Sequence, residues 1–195
     1  MSWYDIDFKQ SKITKKEKKR EIPRFKLFLY IVFAFFPAIF ILTGIHELGH
    51  AIMGWIFGWD IRFISVSFFP LVPELRHSWV SFIAPLDTTD LEYAIVYSAG
   101  SLHTLIWGYI FFILFYKFRL PAFLEIAFFM YSILLLLDIV VYSYVDLFIL
   151  RRGDWYSLYY LSPILVGVCM GLGFMNVILF IRYFKQIIYR IDLQE

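Results

Sequence analysis

Cys169 is the single cysteine among 195 residues, so no intramolecular disulfide can form and a zinc site made of cysteines alone is excluded. Histidine is also scarce. There are four, His46, His50, His77 and His103, too few for the histidine boxes of membrane di-iron oxygenases. Charge is thin as well, at 17% of residues, and from Phe25 to Trp59 Lys26 is the only charged residue outside one short motif. With 61% apolar residues, 22% aromatic residues and a mean hydropathy of +0.71, the chain reads as an integral membrane protein.

The charge that is present is unevenly placed. Nine of the 18 Lys and Arg residues fall between Lys9 and Lys26. In front of an apolar run, such a tract reads as a basic juxtamembrane segment on the cytoplasmic face rather than a nucleic-acid contact. The stretch from Met1 to Arg24 is too charged, and too long ahead of the apolar run, for a cleaved signal peptide.

Four stretches meet the need for roughly 20 apolar residues per span. They are Leu27–Phe57, with Pro37 as its expected bend point, then Tyr93–Tyr116, Ala122–Phe148 and Tyr156–Ile181. In the last, Gly167, Gly171 and Gly173 either permit close helix contact or merely relieve crowding. Between the first two spans, Ile61–Phe69 and Trp79–Ala84 are rich in β-branched and aromatic residues. Pro70 and Pro73 interrupt them, so a β-hairpin is expected there. It is either an ordinary interfacial loop or a strand edge able to pair with an extended substrate segment. The expected fold is thus an all-α membrane bundle of about four transmembrane helices with a β-hairpin between the first and second. The expected location is the cell membrane, with multiple passes.

With four spans, the terminal segments and the loop between the second and third spans share one side and hold 14 of the 18 Lys and Arg residues. The positive-inside rule then places both termini in the cytoplasm.

The motif inside the first span is His46-Glu47-Leu48-Gly49-His50. HExxH on a helix puts two imidazoles on one face at the spacing a single zinc ion needs, with the intervening Glu placed to act as general base. Ionisable residues at membrane depth are expensive to keep and mark functional sites. The bland reading is a polar patch satisfied within the bundle, as in a transporter. Binding one metal accounts for His46, Glu47 and His50 together.

A catalytic zinc site takes three protein ligands plus water. The acidic candidates on the same side are Asp138, Asp146 and Asp154. Asp154 could equally be the N-cap of the next helix, and Asp138 could orient a ligand histidine. His103 could donate to a tetrahedral oxyanion, or serve as a satisfied contact between helices. His77, beside Arg76, is expected to be solvated and uninvolved.

The stretch Gly44-Ile45-His46-Glu47-Leu48-Gly49-His50-Ala51 resembles the first-ligand helix of the site-2 protease family of intramembrane zinc metalloproteases. In that family an N-x-x-P segment leads to an L-D-G motif whose Asp, eight positions after the Asn, is the third ligand. On this resemblance Asp154 is the third ligand and Asp146 stands at the Asn position. No Pro follows Asp146 as in the family segment, and Trp155 replaces the family Gly. The family's G-P-x-x-N segment maps onto Gly100 to Thr104, with Ser101 for Pro and Thr104 for Asn.

The resemblance implies metal ligands His46, His50 and Asp154, with Glu47 in catalysis and Zn²⁺ as cofactor; His103, next to Thr104 at the Asn slot, is expected to supply the missing polar group in catalysis. It also implies membrane-protein substrates cut within the bilayer, and a metalloprotease domain over 27–181 between a basic segment (1–26) and a short tail (182–195). In the family the HExxH end of the helix faces the cytosol, whereas the charge count places that end outside. An interfacial segment over Phe25–Phe36 would change the parity. Two alternatives stay open: a zinc-dependent membrane hydrolase of a lipid or small amide, and a non-enzymatic metal-binding membrane protein.

Overall fold

The computed structural model describes residues 23–66, 78–118 and 120–191, with the backbone alone over 182–191. His77 and the basic tract before Pro23 lie outside them. The described chain is a helical bundle with one small sheet: α1 (Arg24–Ile56), β1 (Asp60–Ser65), β2 (Trp79–Ile83), α2 (Asp90–Lys117), α3 (Ala122–Tyr144), α4 (Asp154–Leu161) and α5 (Pro163–Ile191). α1, α2, α3 with its extension, and α5 over Pro163–Ile181 are each long and apolar enough to cross a membrane. The chain is a multi-pass membrane protein.

Pro37 sits inside α1 without ending it, and no break separates Phe25–Phe36 from the HELGH turns. The helix rises about 50 Å at 1.5 Å per residue, well beyond a hydrocarbon core of roughly 30 Å. α2 starts three residues before the apolar run suggests, because Thr89 and Glu92 form a reciprocal cap. The Glu92 amide donates to Thr89 Oγ1 (3.3 Å), and the Thr89 amide donates to Glu92 Oε2 (2.7 Å). α3 ends in a π-helical turn, Val145–Leu150, and then in Arg151, which adopts a left-handed conformation at φ 50°.

One expectation is corrected. The expected fourth span, Tyr156–Ile181, is two helices: α4 ends at Leu161 and α5 begins at Pro163. Proline disfavours helical geometry in the residue before it, and Ser162 is accordingly non-helical at φ −154°, ψ 85°. Of the three glycines on α5, only Gly173 meets a neighbour, lying against Val140 and Ile139 of α3. No described atom lies within contact distance of a Cβ at Gly167 or Gly171.

The hairpin is present and its two strands are antiparallel, with Asp60 opposite Ile83 and Ser65 opposite Trp79. Its anchor is Trp59, which is buried and packs on Phe82 and Tyr93. β1 turns back along α1, since a Cβ at Gly44 would sit 3.9 Å from Val66 just after β1. The lengths agree: six strand residues cover about 20 Å, and α1 from Gly44 to Ile56 rises about 18 Å. The end of β1 is therefore level with the first turn of HELGH.

α1, α2 and α3 pack mutually, and α5 covers α3. Close crossing of α1 and α2 depends on Gly49, where a Cβ would lie 2.5 Å from the Ala99 carbonyl oxygen and 2.7 Å from His103 Cβ. The apolar core beside the site gathers Ala94, Ile139, Trp155, Leu158, Val166 and Cys169.

Candidate metal centre

His46, Glu47 and His50 share the buried face of α1 where it crosses α2 and α3. Each imidazole is held through its Nδ1. The His50 Nδ1–H donates to the Val96 carbonyl of α2 at 2.7 Å. The His46 Nδ1–H donates to Asp138 Oδ2 of α3 at 3.2 Å. A carbonyl and a carboxylate can only accept, so each ring carries its proton on Nδ1 and presents a bare Nε2 lone pair.

Both Nε2 atoms face the same carboxylate oxygen. Asp154 Oδ2 lies 3.1 Å from His50 Nε2 and 3.5 Å from His46 Nε2. The three ligand atoms all lie within 4.8 Å of one another. Among the described residues, buried His50 Nε2 has no hydrogen-bond partner. Two imidazole nitrogens and a carboxylate converging in a buried space make a place where a cation can bind. A four-coordinate ion with bonds of about 2.0–2.1 Å has ligand–ligand separations of roughly 3.3 Å, and the two observed distances bracket that value. His46, His50 and Asp154 thus fit a metal ion.

The surroundings are shaped to the same end. A Cβ on Gly100 would fall on the two Nε2 atoms, 2.6 Å from that of His46, so only glycine lets α2 floor the site. Asp138 also accepts from Thr104 Oγ1 at 2.9 Å, a hydroxyl shared with the Ser101 carbonyl. Thr104 is fully buried and spent on this network. Tyr142, one turn beyond Asp138, lays its ring edge-on to His46 with centroids 4.9 Å apart.

Asp154 opens α4, and Asp146 holds the turn that delivers it. The Asp146 carboxylate accepts from the Trp155 amide at 3.2 Å, and the Arg152 amide donates to the Asp146 carbonyl. Gly153, at φ +95°, presses on the same carboxylate, where a Cβ would come within 2.7 Å of Asp146 Cγ. Trp155 is buried and donates from Nε1 to Ser101 Oγ at 3.2 Å, tying α4 to α2.

The three acidic candidates thus have three places: Asp154 at the cluster, Asp138 behind His46, and Asp146 under the turn. Glu47 is buried beside the cluster, and among the described residues its carboxylate has no hydrogen-bond partner. His103 stands apart, with its Nδ1–H donating to the Ile45 carbonyl at 2.8 Å and its Nε2 accepting from Trp107 Nε1 at 3.1 Å. That is the arrangement of a contact between helices, and it leaves no N–H for an oxyanion. Sequence reasoning overlooked Tyr142 and Val96. The signal for Tyr142 was its place one turn after Asp138 and one before Asp146, on a single stripe of α3. Val96 contributes only a backbone carbonyl, and no residue type announces that.

No protein-family model, curated protein or solved structure matches the chain. What its own geometry establishes is a membrane protein with four long apolar helices and a buried His-His-Asp group able to hold a metal ion.

Proposed function

We propose that this chain is an intramembrane zinc metallopeptidase that hydrolyses peptide bonds of membrane-protein substrates. The observation that carries the reading is Glu47: a buried carboxylate next in sequence to ligand His46, held by no other described side chain. A protein that only stores or carries a metal has no use for it.

His46, His50 and Asp154 would hold the zinc ion, which when bound would make a water nucleophilic at neutral pH. Glu47 accepts the proton as the water oxygen adds to the scissile carbonyl carbon. It returns that proton to the amine nitrogen as the C–N bond breaks. Asp138, with Thr104 behind it, keeps His46 in the ligating tautomer, and the Val96 carbonyl does so for His50. Zinc is favoured by the HExxH spacing and by two imidazoles with one carboxylate.

The hairpin supports a peptide substrate. A transmembrane helix satisfies its carbonyls internally and must unwind locally before attack. Once unwound, it needs new partners for its backbone. Among the described residues the sheet has two strands and no further strand pairs on its outer edges, and β1 ends level with HELGH. Pairing on such an edge would hold an extended segment beside the site.

The test is cleavage of a panel of transmembrane-helix substrates by purified wild type and Glu47→Gln. Cleavage by wild type alone, with equal zinc in both, supports the reading. Zinc in both with no substrate cut would instead favour a metal-binding membrane protein.

A further inference from the structure

Asparagine occurs once in this chain, at position 176, and it stands inside the apolar span of α5. An amide in hydrocarbon is costly unless both its ends find partners. Asn176 is 6% exposed. Its Oδ1 accepts from the Tyr109 hydroxyl of α2, while among the described residues its buried Nδ2 has no hydrogen-bond partner. One end of the amide joins two helices, and the other is an idle donor.

Asn176 also lines a cavity of about 90 Å³ where α2, α3 and α5 meet. Its other walls are Tyr109, Phe112, Leu136, Leu179 and Phe180, so the lining is apolar apart from the amide and the phenol. Water is a poor occupant. One molecule takes roughly 10–15 Å³ and wants roughly two to four polar partners, more than this wall offers to the several that would fit. The complement is an apolar body with a single hydrogen-bond acceptor. Depth narrows the class further. Tyr109 is eight residues before Lys117, which is exposed at the end of α2. That is about 12 Å of helix, of which the polar layer of a bilayer takes roughly 5–8 Å. The amide therefore lies just inside the hydrocarbon boundary. At that level a bilayer supplies the ester carbonyl at the head of an acyl chain. A transmembrane helix offers no such acceptor, because its carbonyls are bonded internally.

We infer that this cavity seats the acyl ester of a membrane lipid, with Asn176 Nδ2 donating to the ester carbonyl and the apolar walls receiving the start of the chain. Tyr109 has a positioning part. Its hydroxyl occupies Oδ1 and so fixes which end of the amide is left for the ligand. The seat owes nothing to the metal centre and stands or falls apart from it.

The experiment uses the full chain in nanodiscs of ester-linked phosphatidylcholine mixed equally with its ether-linked analogue, which has the same headgroup and chains but no carbonyl. The lipid that stays with the protein through detergent extraction is read by mass spectrometry. Wild type enriches the ester roughly fivefold over the ether, the worth of about one hydrogen bond. N176L, which keeps the bulk and loses the donor, shows no preference. A second measurement needs no variant. Because Asn176 is the sole asparagine, side-chain ¹⁵N-asparagine labels one site. Dipolar dephasing of that nitrogen by lipid carrying ¹³C at the ester carbonyl then reads their contact directly, and wild type shows it. Equal retention of the two lipids by wild type, an ester preference that survives in N176L, or no dephasing by the lipid carbonyl overturns the seat. Magnetisation transfer from water in place of that dephasing overturns it in favour of a hydrated cavity. Dephasing that comes instead from a ¹³C-labelled second copy of the chain overturns it in favour of helix pairing.

Discussion

Asp138 Oδ2 lies 3.2 Å from His46 Nδ1 across the α1–α3 interface, and Thr104 Oγ1 donates to the same oxygen from α2. One carboxylate thus locks three helices and one tautomer together. Asp138→Asn can turn its amide N–H₂ toward His46 and favour the wrong tautomer, and Asp138→Ala leaves Thr104 without its carboxylate partner. Either change is expected to weaken zinc binding by about 10- to 100-fold, in line with the loss of such partners elsewhere. A chelator-competition titration checks this. Unaltered affinity would mean that His46 orients itself without help.

Gly100 tests the shape of the site without altering a ligand. In Gly100→Ala the new methyl falls on the His46 and His50 Nε2 atoms. Metal binding should be abolished or reduced by more than tenfold, whereas helix content by circular dichroism is retained. Full metal occupancy in this variant would show that α2 does not floor the site as described.

Asp146 is predicted to act through Asp154. Its carboxylate accepts from the buried Trp155 amide, and an unsatisfied buried group costs about 1–3 kcal/mol. Asp146→Ala should therefore lower both thermal stability and zinc affinity, while Asp146→Asn, which keeps an acceptor oxygen, should recover most of both. Normal zinc binding in Asp146→Ala would separate the turn from the ligand it carries.

His103 and Trp107 form a latch between α2 and the Ile45 carbonyl of α1. Trp107→Phe removes one hydrogen bond and should cost about 1 kcal/mol of stability, with little change in zinc content or turnover per folded molecule. A large fall in turnover at unchanged stability would instead return His103 to the catalytic role that its sequence context allows.

Much of the fold was legible because membrane spans advertise themselves by length and missing charge, and HELGH did so by standing charged in such a run. The hairpin was legible from Pro70 and Pro73 between two β-rich stretches. The split of the fourth span was hidden by continuous hydrophobicity, although Ser162-Pro163 is a boundary signal in its own right. The third ligand was harder. Asp138, Asp146 and Asp154 are evenly spaced, and which one reaches the histidines depends on the π-helical turn and the left-handed Arg151, neither of which has a reliable sequence mark. His103 was ambiguous for a related reason. Pattern places it in a span but does not say that the Ile45 carbonyl and Trp107 occupy both its nitrogens.

The central claim is that His46, His50 and Asp154 together hold one metal ion, and zinc content of the purified full chain tests it most directly. The account predicts about one zinc per chain in wild type and in Glu47→Gln, with loss in His50→Ala and in Asp154→Ala, each still folded by circular dichroism. Wild type without bound metal, or Asp154→Ala retaining zinc at wild-type affinity, would contradict it.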